Sequence, residues 1–227
     1  MRIVAFGGGG LAVWGGRFAL LDYLVELTGK DDPRVCYIGT ASGDSAAGAL
    51  MFYDVARLAG IRYPSHLAVF PYPNVRDVRE HLVAQDLVYV GGGNTANLLA
   101  LWRVHGVDTA LREAWENGTV MAGTSAGSLC WFEGGTTDSF GLDLQPITIC
   151  LGFLPGSHAP HYDSEERRRP LYQRLVREGV VAPGWGVDEG VGLMFEGREL
   201  SEVVSASDGA AWRVERDGET KVEPRRL

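Results

Sequence analysis

The stretch TVMAGTSAGSLCWF, residues 119–132, decides the fold. Its first five residues make a largely apolar run ending in glycine, the pattern of a short strand buried on both faces. Its last seven, AGSLCWF, can begin a helix. Between the two, Ser125 stands between Gly123 and Gly127 in the sequence GTSAG. A plain tight turn would have this composition, but strand, sharp turn and helix in that order is the context in which G-x-S-x-G marks a nucleophile elbow. Small neighbours suit such a serine, whose strained backbone must not collide with the flanking strands. The N–H of the next residue, Ala126, can then face an oxyanion.

Outward from this stretch, the same alternation recurs. RIVAF (2–6), RVCYIG (34–39), LAVFPY (67–72) and DLVYVG (86–91) are apolar runs that end in turn residues. The segments 16–28, 45–59, 75–84, 95–103 and 108–117 between them are amphipathic or mixed. Buried strands alternating with helices predict an α/β fold with a mostly parallel sheet covered on both faces. Ligands bind such sheets at the carboxyl ends of the strands, where GGGG (7–10), GTASG (39–43), GGGNT (91–95) and GTSAG (123–127) fall. After residue 130 the pattern changes to a loop-rich section (133–163). A helix, PLYQRLVRE, follows, which Pro170 can open and Gly179 can close. Short strands then run to the end, with turns at Glu196-Gly197-Arg198 and Asp217-Gly218. With no linker or repeat, one domain is expected over residues 1–227.

The 227 residues are 45% hydrophobic and 22% charged, an ordinary globular balance. A net charge of −8 disfavours nucleic acid or an anionic membrane as partner. Cys36, Cys130 and Cys150 are far apart, form no CxxC pair, and read as buried reduced thiols of a cytoplasmic protein. No apolar run reaches the roughly 18 residues of a membrane-spanning helix.

Two glycine loops, Gly7-x-Gly9-x-x-Ala12 and Gly91-x-Gly93-x-x-Ala96, approach the dinucleotide fingerprint. That fingerprint also needs an acid at the end of the next strand, and the strand after the first loop ends in Ile38-Gly39-Thr40. Close backbone packing is the simpler reading. GGGNT has a further use, in presenting backbone N–H groups to a developing negative charge.

A nucleophilic serine needs a base. Surface or capping roles suffice for His66, His81 and His105. His158 and His161 fall in SHAPHYD, a predicted loop flanked by proline and an acid, the kind of segment that carries function. HxxHxD could bind a metal, but no further ligand cluster supports it, and neither metal nor organic cofactor is expected. The candidates to orient the imidazole are Asp138, Asp163, Asp188 and Glu189. Asp163 is explained as a helix N-cap with Glu166 three residues on. Asp138 fits a turn, although it would give the chain order Ser, Asp, His. Asp188 and Glu189 form an acidic pair between apolar strands, a costly placement unless it is used.

GGGNT (91–95), GTSAGS (123–128), PHYD (160–163) and VDEG (187–190) stand in an order and spacing that resemble the peptidase E family, which includes aspartyl dipeptidases and the more distant cyanophycinases. The resemblance runs from about residue 1 to about residue 205. It implies a three-layer, flavodoxin-like α/β fold related to class I glutamine amidotransferases, with serine in place of their cysteine. It further implies Ser125 as nucleophile, His161 as general base and Glu189 as orienting acid, with Asp138 the alternative. The N–H groups of Gly93 and Ala126 would form the oxyanion hole. The implied substrate is a dipeptide or short peptide, and a homodimer is compatible with it.

Two departures bear on specificity. Aspartyl dipeptidases hold the substrate's N-terminal aspartate partly through an arginine in a longer loop after the histidine. Here that loop is the short DSEERRR (163–169), so Arg167, Arg168 and Arg169 are the candidates, and aspartate is expected to be accepted but not required. The Gln-His-Phe of cyanophycinases is replaced by Pro-His-Tyr. The rival readings are another amide or ester hydrolase with the same triad, cyanophycinase-like or otherwise, and a non-catalytic small-molecule binding domain.

Overall fold

In the computed structural model, which describes residues 1–227, the first half of the chain alternates as its apolar periodicity requires. Strands and helices follow as β1 (Arg2–Phe6), α1 (Ala19–Thr28), β2 (Arg34–Ile38), α2 (Ala46–Leu58), β3 (Tyr63–Leu67), α3 (Val78–Val83), β4 (Leu87–Val90), α4 (Thr95–His105), α5 (Val107–Glu116), β5 (Val120–Thr124) and α6 (Ala126–Leu129). Side-chain caps fix the starts of α2, α3 and α4. Ser45 accepts the Gly48 N–H, Asp77 the Glu80 N–H and Asn94 the Asn97 N–H. Left-handed glycines at Gly29 and Gly106 close α1 and α4.

The second half supplies β6 (Gly134–Thr137), β7 (Gln145–Ile147), β8 (Ser157–Ala159), α7 (Arg168–Arg177), β9 (Gly184–Val187), β10 (Val191–Glu196), β11 (Glu199–Ser205), β12 (Ala211–Glu215), β13 (Gly218–Val222) and β14 (Arg225–Arg226). An eight-stranded sheet runs in the order β14-β11-β10-β1-β5-β4-β2-β3. Its centre, β1-β5-β4-β2-β3, is parallel, and β10 joins β1 antiparallel. On one face Leu20, Leu24 and Phe52 of α1 and α2 pack against Val4, Phe6 and Tyr89. On the other, Leu82, Trp102 and Leu111 of α3, α4 and α5 pack against Ile3, Cys36 and Val88. These are the three layers of a flavodoxin-like fold.

Two expectations are corrected. The third strand is Tyr63–Leu67, not the run 67–72. Beyond Leu67 the backbone N–H groups turn to side chains: Asn74 Oδ1 takes that of Ala68, and Asp44 Oδ2 takes those of Val69 and Phe70 at 2.8 and 2.9 Å. The section 133–163 is not merely loop, since β6, β7 and β8 join a second, six-stranded sheet in the order β13-β12-β9-β8-β6-β7. Its strands are short and glycine-rich because their backbones nearly touch. A Cβ on Gly135 would lie 1.8 Å from the His158 carbonyl oxygen, and one on Gly184 would lie 1.9 Å from that of Ser157. The two sheets meet where β9 of the second passes through Asp188-Glu189-Gly190 into β10 of the first. No helix is long and apolar enough to cross a membrane.

Asp44→Ala strands two backbone donors at the end of β3. It is expected to cost about 1–3 kcal/mol in urea denaturation.

Candidate active site

Ser125 occupies the turn between β5 and α6 with φ 56° and ψ −118°. A non-glycine residue held at such angles costs of order 1–3 kcal/mol and persists only where its surroundings over-determine it. The two glycines of GTSAG do so. A Cβ on Gly123 would lie 2.1 Å from the Gly127 carbonyl oxygen, and one on Gly127 would lie 2.3 Å from that of Val90. The Ser125 carbonyl accepts the Leu129 N–H at 2.9 Å and the Ser128 hydroxyl at 2.8 Å. The stretch is an elbow.

His161 follows β8 and also has a positive φ, 55°. Its N–H donates to the Gly7 carbonyl at 3.1 Å, and its carbonyl accepts the Glu165 N–H at 3.1 Å. Its Nδ1 is hydrogen-bonded to Glu189 Oε1. That bond holds the Glu189 carboxyl below the usual carboxylate range, against the opposing effect of burial. No hydrogen bond joins His161 to Ser125 Oγ here. In unliganded hydrolases that contact tightens when substrate binds.

Glu189 is fixed from four sides. Its N–H donates to Asp163 Oδ1 at 3.0 Å, the Ser164 hydroxyl donates to its Oε1 at 3.3 Å, and its carbonyl accepts the Ser207 hydroxyl at 2.5 Å. The fourth side is Gly8, where a Cβ would lie 2.0 Å from Glu189 Oε2. GGGG (7–10) is therefore a seat for the carboxylate. Asp163 does not cap a helix, because α7 begins only at Arg168 and the carboxylate is spent on Glu189.

Other candidates lie elsewhere. Asp188 Oδ2 accepts the Ala210 N–H at 2.9 Å and the Trp212 indole N–H at 3.3 Å, and burial raises its carboxyl above the usual range. Asp138 is exposed beside Glu165, Glu166 and Arg167 and makes no contact with His161. Gly93, with φ 136°, follows β4 and packs on the Ala41 carbonyl, while Ala126 begins α6, where helix N–H groups have no partner within the helix. All three arginines are engaged: Arg167 with Asp143, Arg168 with Glu165 and the Thr136 carbonyl, and Arg169 with Glu219 and the Trp212 ring.

His158 is wholly buried in β8, not in a loop. Its ring stacks on Phe132 and its Nε2 lies 2.9 Å from Ser128 Oγ. Since Ser128 donates to Ser125, Nε2 carries the proton. Burial pushes the imidazole down to about 3. His158 thus faces Ser128, while His161 and Asp163 both meet Glu189, one at its side chain and the other at its backbone N–H. The buried Cys36 thiol, near His81, is pushed up to about 12 by burial and is no thiolate. A larger cavity of about 610 Å³ lies by β3 and α3, among Arg34, Arg62, Arg76 and His81, away from this cluster.

A model of Peptidase family S51 matches residues 3–203 of the chain. An uncharacterized peptidase of Bacillus subtilis (strain 168) is 44% identical over 216 residues, 94% of this chain and 91% of that one. A Shewanella amazonensis protein named peptidase E is 31% identical over 133 residues, 55% of this chain and 57% of its own. A Synechococcus elongatus cyanophycinase is 26% identical over 219 residues, 91% of this chain and 63% of its own. In fold, the crystal structure of a peptidase from an acI-B1 Actinobacterium superposes with a TM-score of 0.72 over 98% of this chain and 94% of that one, at 17% identity.

Gly8→Ala is expected to displace the Glu189 carboxylate and lower turnover on a dipeptide by roughly a hundred-fold, the scale of a 1 Å misplacement. Gly60→Ala, strained but with no atom within 4 Å of its Cβ, should leave turnover intact. A second expectation follows from His158. Between its ordinary value near 6.5 and its folded value of about 3, the unfolded chain binds a proton that the native chain does not. Its contribution to stability is therefore lost as pH falls through that window, by at most about 1.4 kcal/mol per pH unit. Urea denaturation from pH 7 to 5 should show the loss, and His158→Gln should flatten it.

Proposed function

The chain belongs to Peptidase family S51 and is a serine peptidase, and from that premise we propose that it is an exopeptidase hydrolysing dipeptides or short peptides with Ser125, His161 and Glu189 as its triad. The observation that carries the proposal is the hydrogen bond between His161 Nδ1 and Glu189 Oε1, made across the same carboxyl end of the sheet where Ser125 sits on a strained elbow.

In this reading Glu189 accepts the His161 Nδ1–H and so leaves Nε2 unprotonated. Nε2 takes the Ser125 proton as Oγ attacks the peptide carbonyl. The oxyanion rests on the N–H groups of Gly93 and Ala126. The imidazolium then passes its proton to the leaving amine, the C–N bond breaks, and an acyl-Ser125 remains. Water, deprotonated by the same Nε2, attacks that ester and releases the acid while the proton returns to Ser125. No cofactor is needed. With Arg167, Arg168 and Arg169 engaged by acids of the chain, an N-terminal aspartate is accepted but not required.

Ser125→Ala should lower turnover on a dipeptide by at least about a thousand-fold with an unchanged melting temperature. Purified side by side, Glu189→Gln should lose on the order of 10³ to 10⁴ in turnover, because the imidazole loses its tautomer. Asp138→Asn should retain nearly all of it. A fully active Glu189→Gln enzyme would remove that residue from the triad.

A further inference from the structure

A cavity of about 470 Å³ lies beside the elbow and is lined by Thr124, Gly92, Tyr37, Tyr89, Ser42 and Met51 among others. Thr124 precedes the serine in the chain. A Cβ on Gly92 would lie 3.1 Å from Ser125 Cβ. The substrate's acyl-side side chain grows from the carbon next to the carbonyl that Oγ attacks, so a hollow walled by the two residues that flank Ser125, Thr124 and Gly92, is one it can enter. None of the lining residues is Asp, Glu, Lys, Arg or His.

We propose that this hollow is the acyl-side specificity pocket and that it selects an uncharged side chain, apolar or hydroxyl-bearing, over aspartate or glutamate. The inference rests on the triad reading above and deepens it. The hydroxyls of Tyr89 and Thr124 are buried without a hydrogen-bond partner, and Tyr89 is 1% exposed. They bring neutral dipoles, and no charge, to the wall behind the hollow. Burial raises both phenols, Tyr37 and Tyr89, so they stay un-ionised at ordinary pH. The acid next to the pocket, Asp44, has its Oδ2 turned to the Val69 and Phe70 N–H groups, and its charge opposes a second carboxylate. A carboxylate entering such a site would lose hydration and gain no cation in return. Met51, half exposed on α2, closes the rim with a flexible thioether that adapts to side chains of different shape.

Diphenyl aminoalkylphosphonates carrying a leucine or an aspartate side chain test this directly, because modification of Ser125 is read by intact mass and needs no peptide turnover. The leucine analogue should label at least about ten-fold faster, the consequence of an unpaired carboxylate in the pocket. Met51→Arg, which sets a guanidinium at the rim, should narrow that ratio by about ten-fold. Faster labelling by the aspartate analogue, or a ratio unmoved by Met51→Arg, overturns the pocket assignment while leaving the nucleophile in place. Failure of both analogues to label Ser125 overturns the nucleophile assignment and the pocket with it.

Discussion

Two adjacent glycines hold the molecule's halves together. At the end of β1 the Gly7 N–H donates to the Val191 carbonyl, the Gly7 carbonyl accepts the His161 N–H, and the Gly8 carbonyl accepts the Gly190 N–H. Three peptide groups thereby tie the first strand of the large sheet to the residue after β8 and to the turn between β9 and β10. No side chain fits there, since a Cβ on Gly7 would lie 2.2 Å from the Asp188 carbonyl oxygen. The placement of His161 and of the turn that carries Glu189 is thus set by backbone hydrogen bonds, and side chains then fix the carboxylate. The strained φ of His161 is sustained by the same knot.

The PHYD segment shows how densely the seam is used. His161 meets Glu189, Asp163 receives the Glu189 N–H, and Tyr162 turns the other way, its hydroxyl donating to Glu219 at 2.7 Å. A Cβ on Gly186 would lie 2.7 Å from the Tyr162 ring, so the tyrosine is clamped against β9. One four-residue stretch therefore positions the imidazole, braces the carboxylate and anchors the second sheet to its own edge strand.

Most of the large sheet was legible because β1, β2, β4 and β5 are apolar runs, whereas β3, YPSHL, is not one and the expected strand fell on the run that follows it. The second sheet was not legible, because GGTT, SHA and GWGV are short and carry no apolar run, and what makes them strands is the approach of their backbones. GTSAG was readable as an elbow since its glycines answer a local steric demand. The seat at Gly8 was not, because its partner Glu189 lies far along the chain and nothing local to GGGG points there. Asp163 was misread for a related reason: a carboxylate before a helix looks like a cap until the helix is seen to begin five residues later, at Arg168. His158 and His161 were indistinguishable as letters. Strand β8 turns the first into the core and ends before the second.

The placement of Glu189 also has a temporal meaning. Gly8, the seat, and Ser125 with its elbow are all made once α6 has been made, but the carboxylate and its tether at Ser207 come much later in the chain. β10, which must insert beside β1, emerges with them. In the triad reading proposed above, the serine lacks the partner that sets its histidine's tautomer until that segment has joined. In that reading the hydrolytic site is complete only when β10 closes beside β1.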